Sequence, residues 1–149
     1  MFQTFSPDAF PGFGANDQPA PPSEAEAVLL WAARRLVFAD GIMRPRCPAV
    51  HVALQQHFGG NGSGVEHLLR CCLFGLGQAA TRRLAFAEPA SPGLLPDEQA
   101  LLGVLRLAGP SEAGQSEAGA GAALAALTGS TAGAGLAPLF GLLAALVRP

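Results

Sequence analysis

Residues 67–83 read HLLRCCLFGLGQAATRR. A histidine, two adjacent cysteines, two close glycines and an arginine pair fall in one short stretch. It is either a chemical site or the interior of a helical protein, and the spacing favours the interior. Val65, Leu69, Cys72, Leu76, Ala79, Ala80 and Arg83 recur every three or four residues, as one face of an α-helix does. Leu68, Leu73 and Phe74 widen that stripe. Ser63 and Glu66 make an S-x-x-E capping box at its start, and Glu88-Pro89 closes it. The pattern predicts a helix running to about Phe86, central and buried on most sides.

Similar signals lie on both sides. Upstream, Ser23 and Glu26 form another capping box, followed by Leu29, Ala32, Ala33 and Leu36 at helical spacing and an Asp40-Gly41 stop. Arg34 and Arg35 lie beside this stripe, with Trp31 at its edge. Pro48 suits the first position of a second helix, with Val50, Ala53, Leu54 and Phe58 on its apolar side and Gly59-Gly60 at its end. The next residues, NGSG (61–64), read as loop. Downstream, Pro96, Asp97 and Glu98 open a further helix, the acids facing the positive end of its dipole. Its core side is Leu101, Leu102, Val104, Leu105 and Ala108.

Residues 118–147 carry no charge, and two short helices are expected there, about 117–128 and 136–147, broken at Gly129 and TAGAG. A membrane span needs roughly 20 apolar residues. The dense run LAPLFGLLAALV (136–147) is shorter than that, so a buried terminal helix pair is the reading and a membrane partner is not expected. Residues 1–22 place Phe2, Phe5, Phe10 and Phe13 among prolines and glycines and end in QPAPP. They are expected to form a disordered arm. The whole is therefore an all-α protein: a compact, irregular or orthogonal bundle of five to six helices over residues 23–149, behind a disordered arm over 1–22.

Composition narrows function more by exclusion than by assignment. Half of the residues are hydrophobic and 13% are charged, against roughly 25% in an average soluble domain. All nine basic residues are arginine, a bias expected of a GC-rich bacterial genome. The net charge is −2, and no segment has the dense positive charge that phosphate binding needs, so nucleic acid is not an expected partner. The GGNGSG connection is also too long for a tight helix-turn-helix. The arginines are expected to cover helix surfaces and pair with Glu26, Asp40, Glu66 and Glu88. Three cysteines are too few for a disulfide scaffold, and MFQTFSPDAFPGFG lacks the features of a signal peptide, so the expected location is cytoplasmic.

The best chemical constellation joins Cys47-x3-His51 to His67-x3-Cys71. Each pair has the i, i+4 spacing that shares a helix face, and antiparallel helices would bring the four ligands toward a tetrahedral zinc. Against it, Cys47 falls at a helix edge, and packing roles suit the cysteines better, with Cys72 as a small buried hydrophobe. Nucleophilic catalysis by Cys71 or Cys72 lacks a nearby base or helix N-terminus. FGLGQA resembles half of a dinucleotide fingerprint, with no strand before it and no third glycine in place. No catalytic residue and no cofactor is expected, zinc being the alternative.

The segments LLWAARRLVFADGI (29–42), HFG (57–59), HLLRCCLFGLGQAATRRLAFA (67–87), DEQALLGVLRLA (97–108) and LLAALVRP (142–149) resemble an uncharacterised family of small helical proteobacterial proteins, a domain of unknown function. Members of that family carry a cysteine cluster after the third helix, where this chain reads EPASPG (88–93). The resemblance implies a helical domain without that cluster and brings no activity. The expected function is that of a non-enzymatic accessory or protein-interaction domain, acting on an unknown protein partner or by self-association. A zinc-binding helical module is the first alternative, and membrane association through the C-terminal helices the second.

Overall fold

A computed structural model of the chain describes residues 2–5, 20–38, 47–110 and 115–148. The protein is all-α, with one small parallel sheet. In chain order the elements are β1 (Phe2–Phe5), α1 (Glu24–Phe38), α2 (Pro48–Phe58), α3 (Gly62–Ala79), β2 (Leu84–Ala87), α4 (Pro96–Ala108), α5 (Gln115–Thr128) and α6 (Ala137–Val147). Short 3-10 segments at Gly59–Asn61 and Thr131–Leu136 lead into α3 and α6. The core is continuous across all six helices and β2.

The first capping box forms as written. Glu26 accepts from the Ser23 amide at 2.8 Å, and Ser23 Oγ accepts from the Glu26 amide at 3.2 Å. Leu29, Ala32, Ala33 and Leu36 are buried, as are all five apolar residues expected on the core side of α4. Pro48 opens α2 behind Cys47, whose backbone is extended. The expected stop at Asp40-Gly41 lies outside the described residues.

The second capping box does not form. Helix α3 begins at Gly62, so Ser63 lies inside its first turn, and NGSG contributes helix rather than loop. The Ser63 hydroxyl accepts from Gln55 Nε2 at 2.6 Å instead. Close approach explains the early start. A Cβ on Gly62 would lie 2.7 Å from Gln55 Cα and from the Leu54 carbonyl oxygen, so α2 and α3 cross backbone to backbone there.

Helix α3 also ends earlier than its apolar spacing suggests. The chain turns extended at Ala80, and residues 84–87 form β2. The spacing through Ala80 and Arg83 continues the helical pattern, but Leu84 and Phe86 enter the core at a period of two. Long-range bonds stabilise that choice. Ala85 donates to Asp97 Oδ2 at 2.7 Å and Ala87 donates to Glu98 Oε1 at 3.0 Å, so the first turn of α4 satisfies one edge of β2. The other edge pairs in parallel with β1, Phe2 opposite Leu84 and Phe5 opposite Ala87. The disordered arm expected over residues 1–22 is thus corrected at residues 2–5, which are a strand. Phe2 packs edge-on against Phe86 with ring centroids 5.3 Å apart, and its ring fills the space beside Gly77. Gly75 admits Leu136 in the same way, with a Cβ there 2.6 Å from Leu136 Cδ2.

Glu98 is the main departure from an ordinary surface acid. It is fully buried and sits at the third position of α4, where Oε2 accepts from the Leu95 amide at 2.8 Å. It also receives Arg34 in a two-pronged pair, at 2.7 Å from Nε and 2.8 Å from Nη2. Arg34 also donates to the Ser91 and Gly93 carbonyls, at 2.7 and 2.6 Å. One ion pair thereby joins α1, β2, α4 and the loop between them.

No helix among the described residues is long and apolar enough to cross a membrane. Helix α6 has 11 residues and spans roughly 16 Å, about half of a hydrocarbon core.

Candidate functional site

Helices α2 and α3 diverge from their crossing at Gly62 and enclose an open groove of about 590 Å³. It is lined by Pro48, His51 and Val52 from α2 and by Ser63, Glu66, His67 and Arg70 from α3. The 3-4 spacing along α3 puts Ser63, Glu66, His67 and Arg70 on one side of that helix.

Glu66 organises the groove. Its Oε2 lies 2.9 Å from His51 Nδ1, and its Oε1 accepts from Arg70 Nη2 at 2.9 Å. Burial pushes the carboxyl pKa upward, but the hydrogen bonds from His51 and Arg70 and the Arg70 charge outweigh it, and the pKa is held below its ordinary 4.5. An ionised carboxylate only accepts, so His51 Nδ1 carries the proton. This orients an imidazole whose ring is half exposed. A carboxylate–histidine pair of this kind can serve general-base chemistry. The Ser63 hydroxyl on the same wall accepts from Gln55 Nε2 at 2.6 Å.

The four residues of the alternative zinc set, Cys47, His51, His67 and Cys71, separate into different environments. Cys47 sits at the entry of α2, partly buried against the core. His51 turns to Glu66. His67 and Cys71 come together, with Nε2 and Sγ 3.7 Å apart. No group of three or more His, Cys, Asp or Glu side chains among the described residues is placed to hold a metal.

Cys72 faces inward and is buried in the core. Burial, with the neighbouring Cys71 adding to it, pushes its thiol up to about 12. It therefore stays protonated and inert as a nucleophile at neutral pH. Replacing Cys72 with Ala is expected to cost roughly 1–2 kcal/mol in urea unfolding, from lost packing and a small cavity. Replacing Cys71 with Ala is expected to stay within roughly 0.5 kcal/mol.

Helices α2 and α3 each expose one large apolar side chain, of which only Val52 lines the groove. Val52, on its wall, is 51% exposed, and Phe74, two turns along α3 from His67, is 45% exposed. The apolar spacing places Phe74 in the buried stripe, but it continues the outer row His67, Cys71, Phe74. The other large apolar side chains exposed among the described residues are Phe38 on α1, Leu107 on α4 and Leu142 on α6, none of which lines the groove.

Four of the described arginines are held by acids. Beyond Arg34–Glu98 and Arg70–Glu66, Arg106 grips Glu26 at 2.9 Å and Arg82 grips Asp97 at 2.5 Å. The Arg106 hydrogen bond holds the Glu26 pKa below its ordinary value against a weaker effect of burial. Glu26 and Glu66 are among the partners expected from sequence, whereas Asp97 and Glu98 are not. Local spacing gave them a helix-dipole role and carried no sign of their distant arginines.

No family model matches the chain, and neither a curated protein nor a solved structure matches it.

Proposed function

We propose that the protein is a non-enzymatic interaction module whose docking face is the α2–α3 groove with its exposed rim. The observation that carries this reading is the combination of an open groove with a half-exposed Val52 on its wall and a Glu66 already paired with Arg70 and hydrogen-bonded to His51. Such a surface offers apolar contact framed by polar groups, as the core and rim of a protein interface do. It carries no uncompensated charge that a partner would have to desolvate. The low charge of the whole chain supports the same reading, as do the carboxylate partners of Arg34, Arg70, Arg82 and Arg106.

Affinity capture of the tagged protein from its native cells, after cross-linking, tests the reading. Val52→Asp is expected to reduce recovery of the partner at least about tenfold, the loss of some 1.4 kcal/mol expected of an interface contact. Leu142→Asp, at a still more exposed position on α6, is expected to leave recovery unchanged. Equal recovery with both variants, or loss only with Leu142→Asp, overturns the assignment of this face.

A further inference from the structure

We infer that His67 and Cys71 form half of a zinc site that a second copy of the chain completes. The inference deepens the interaction reading by naming the partner. Three features of α3 carry it.

The first is geometry. The two side chains stand one turn apart on the outer face of α3, with Nε2 and Sγ 3.7 Å apart. Tetrahedral zinc, with bonds of about 2.0–2.1 Å to nitrogen and 2.3 Å to sulfur, spaces two such ligands about 3.6 Å apart. The pair therefore already has the separation of one edge of a zinc tetrahedron. Without metal, the same contact is a weak thiol–imidazole hydrogen bond.

The second is incompleteness. Among the described residues no third His, Cys, Asp or Glu joins the pair, and structural zinc takes four protein ligands. A copy related by a two-fold axis brings a second His67 and a second Cys71, giving a Cys₂His₂ set from one self-complementary patch. On binding, each thiol releases its proton to solvent, and each thiolate donates an electron pair to the metal, as each imidazole does. Two thiolates and two neutral imidazoles around Zn²⁺ leave a centre with no net charge, suited to an apolar interface.

The third is the neighbourhood. Phe74 lies one turn beyond Cys71 on the same face and is 45% exposed. Paired α3 helices would cover it. Cys72, by contrast, faces inward and is unavailable to metal.

The test is a zinc titration of the full-length protein in a thiol-free reducing buffer, followed by sedimentation velocity and metal analysis. The expected result is a dimer holding one zinc per two chains, returned to monomer by a chelator. Cobalt in place of zinc is expected to give the absorption of a tetrahedral thiolate site. His67→Ala and Cys71→Ala are each expected to weaken zinc-dependent dimerisation on the order of a hundredfold or more. Circular dichroism checks that both variants remain folded, and Cys72→Ala is expected to dimerise with zinc as the wild type does. Absence of zinc-dependent dimerisation, one zinc bound per monomer, or a dimer indifferent to chelator overturns the inference. The Val52→Asp capture experiment is read separately, so a negative zinc titration does not by itself remove the groove as a docking face.

Discussion

Replacing Glu98 with Ala is expected to destabilise the protein by about 3–5 kcal/mol, the usual consequence of removing one partner from a buried ion pair. For a chain of this size that lowers the melting temperature by roughly 10–15 °C. The substitution strands the Arg34 guanidinium in the core, with only the Ser91 and Gly93 carbonyls still accepting from it. It also removes the acceptor of the Ala87 amide in β2 and the acceptor of the Leu95 amide at the entry to α4. The double variant Arg34→Met/Glu98→Leu is expected to recover part of the loss, because an apolar pair leaves no buried charge. It does not recover all of it, since the two amides stay unpaired at roughly 1–3 kcal/mol each where water cannot reach them. Urea unfolding of the single and double variants measures this directly. A loss under about 1 kcal/mol for Glu98→Ala contradicts the proposed role of the pair.

Gly62→Ala is expected to cost about 1–3 kcal/mol, the range for overpacking a filled core, and to change the groove as well as the stability. The added Cβ meets backbone atoms of Leu54 and Gln55 at 2.7–2.8 Å, and backbone cannot rotate away as a side-chain tip can. The α2–α3 crossing must open. The His51–Glu66 contact, directly across the groove, is expected to lengthen with it. Loss of the carboxylate then removes the acceptor that fixes the His51 Nδ1 proton, and the imidazole signals of His51 shift in NMR spectra. Gly64→Ala is the control, since its Cβ meets only the tip of Leu146 at 3.2 Å. Equal stability for Gly62→Ala and wild type contradicts the close crossing.

The parts of the fold legible in sequence are those whose signal is local. The Ser23/Glu26 box, the inward residues of α1 and α4, the proline at the start of α2 and the Gly129 break all follow from spacing and end chemistry within one or two turns. The errors share one cause, contacts between residues distant in sequence. Ser63 and Glu66 fit a capping box, but α2 lies close enough to engage both, through Gln55 and His51. The apolar spacing of α3 continues past Ala79, but the acids at the start of α4 and the strand at Phe2–Phe5 hold residues 84–87 extended. Phe74 fits the helical stripe, but among the described residues it stays 45% exposed.

The candidate site was half legible for the same reason. An i, i+4 Cys/His spacing fixes a shared helix face, so the His67–Cys71 pair follows from sequence. The convergence of Cys47 and His51 on that pair depends on how two helices cross, which spacing within either helix does not determine. His51 answers to Glu66, and Cys47 to the core.

The most direct test of the α2–α3 face as the docking surface is a photo-cross-linking amino acid placed at position 52 in the living cell, compared with the same residue at position 142. A defined protein adduct is expected from position 52, with a second copy of the chain among the products, and none from position 142. Adducts from position 142 with none from position 52 contradict the α2–α3 face as the docking surface.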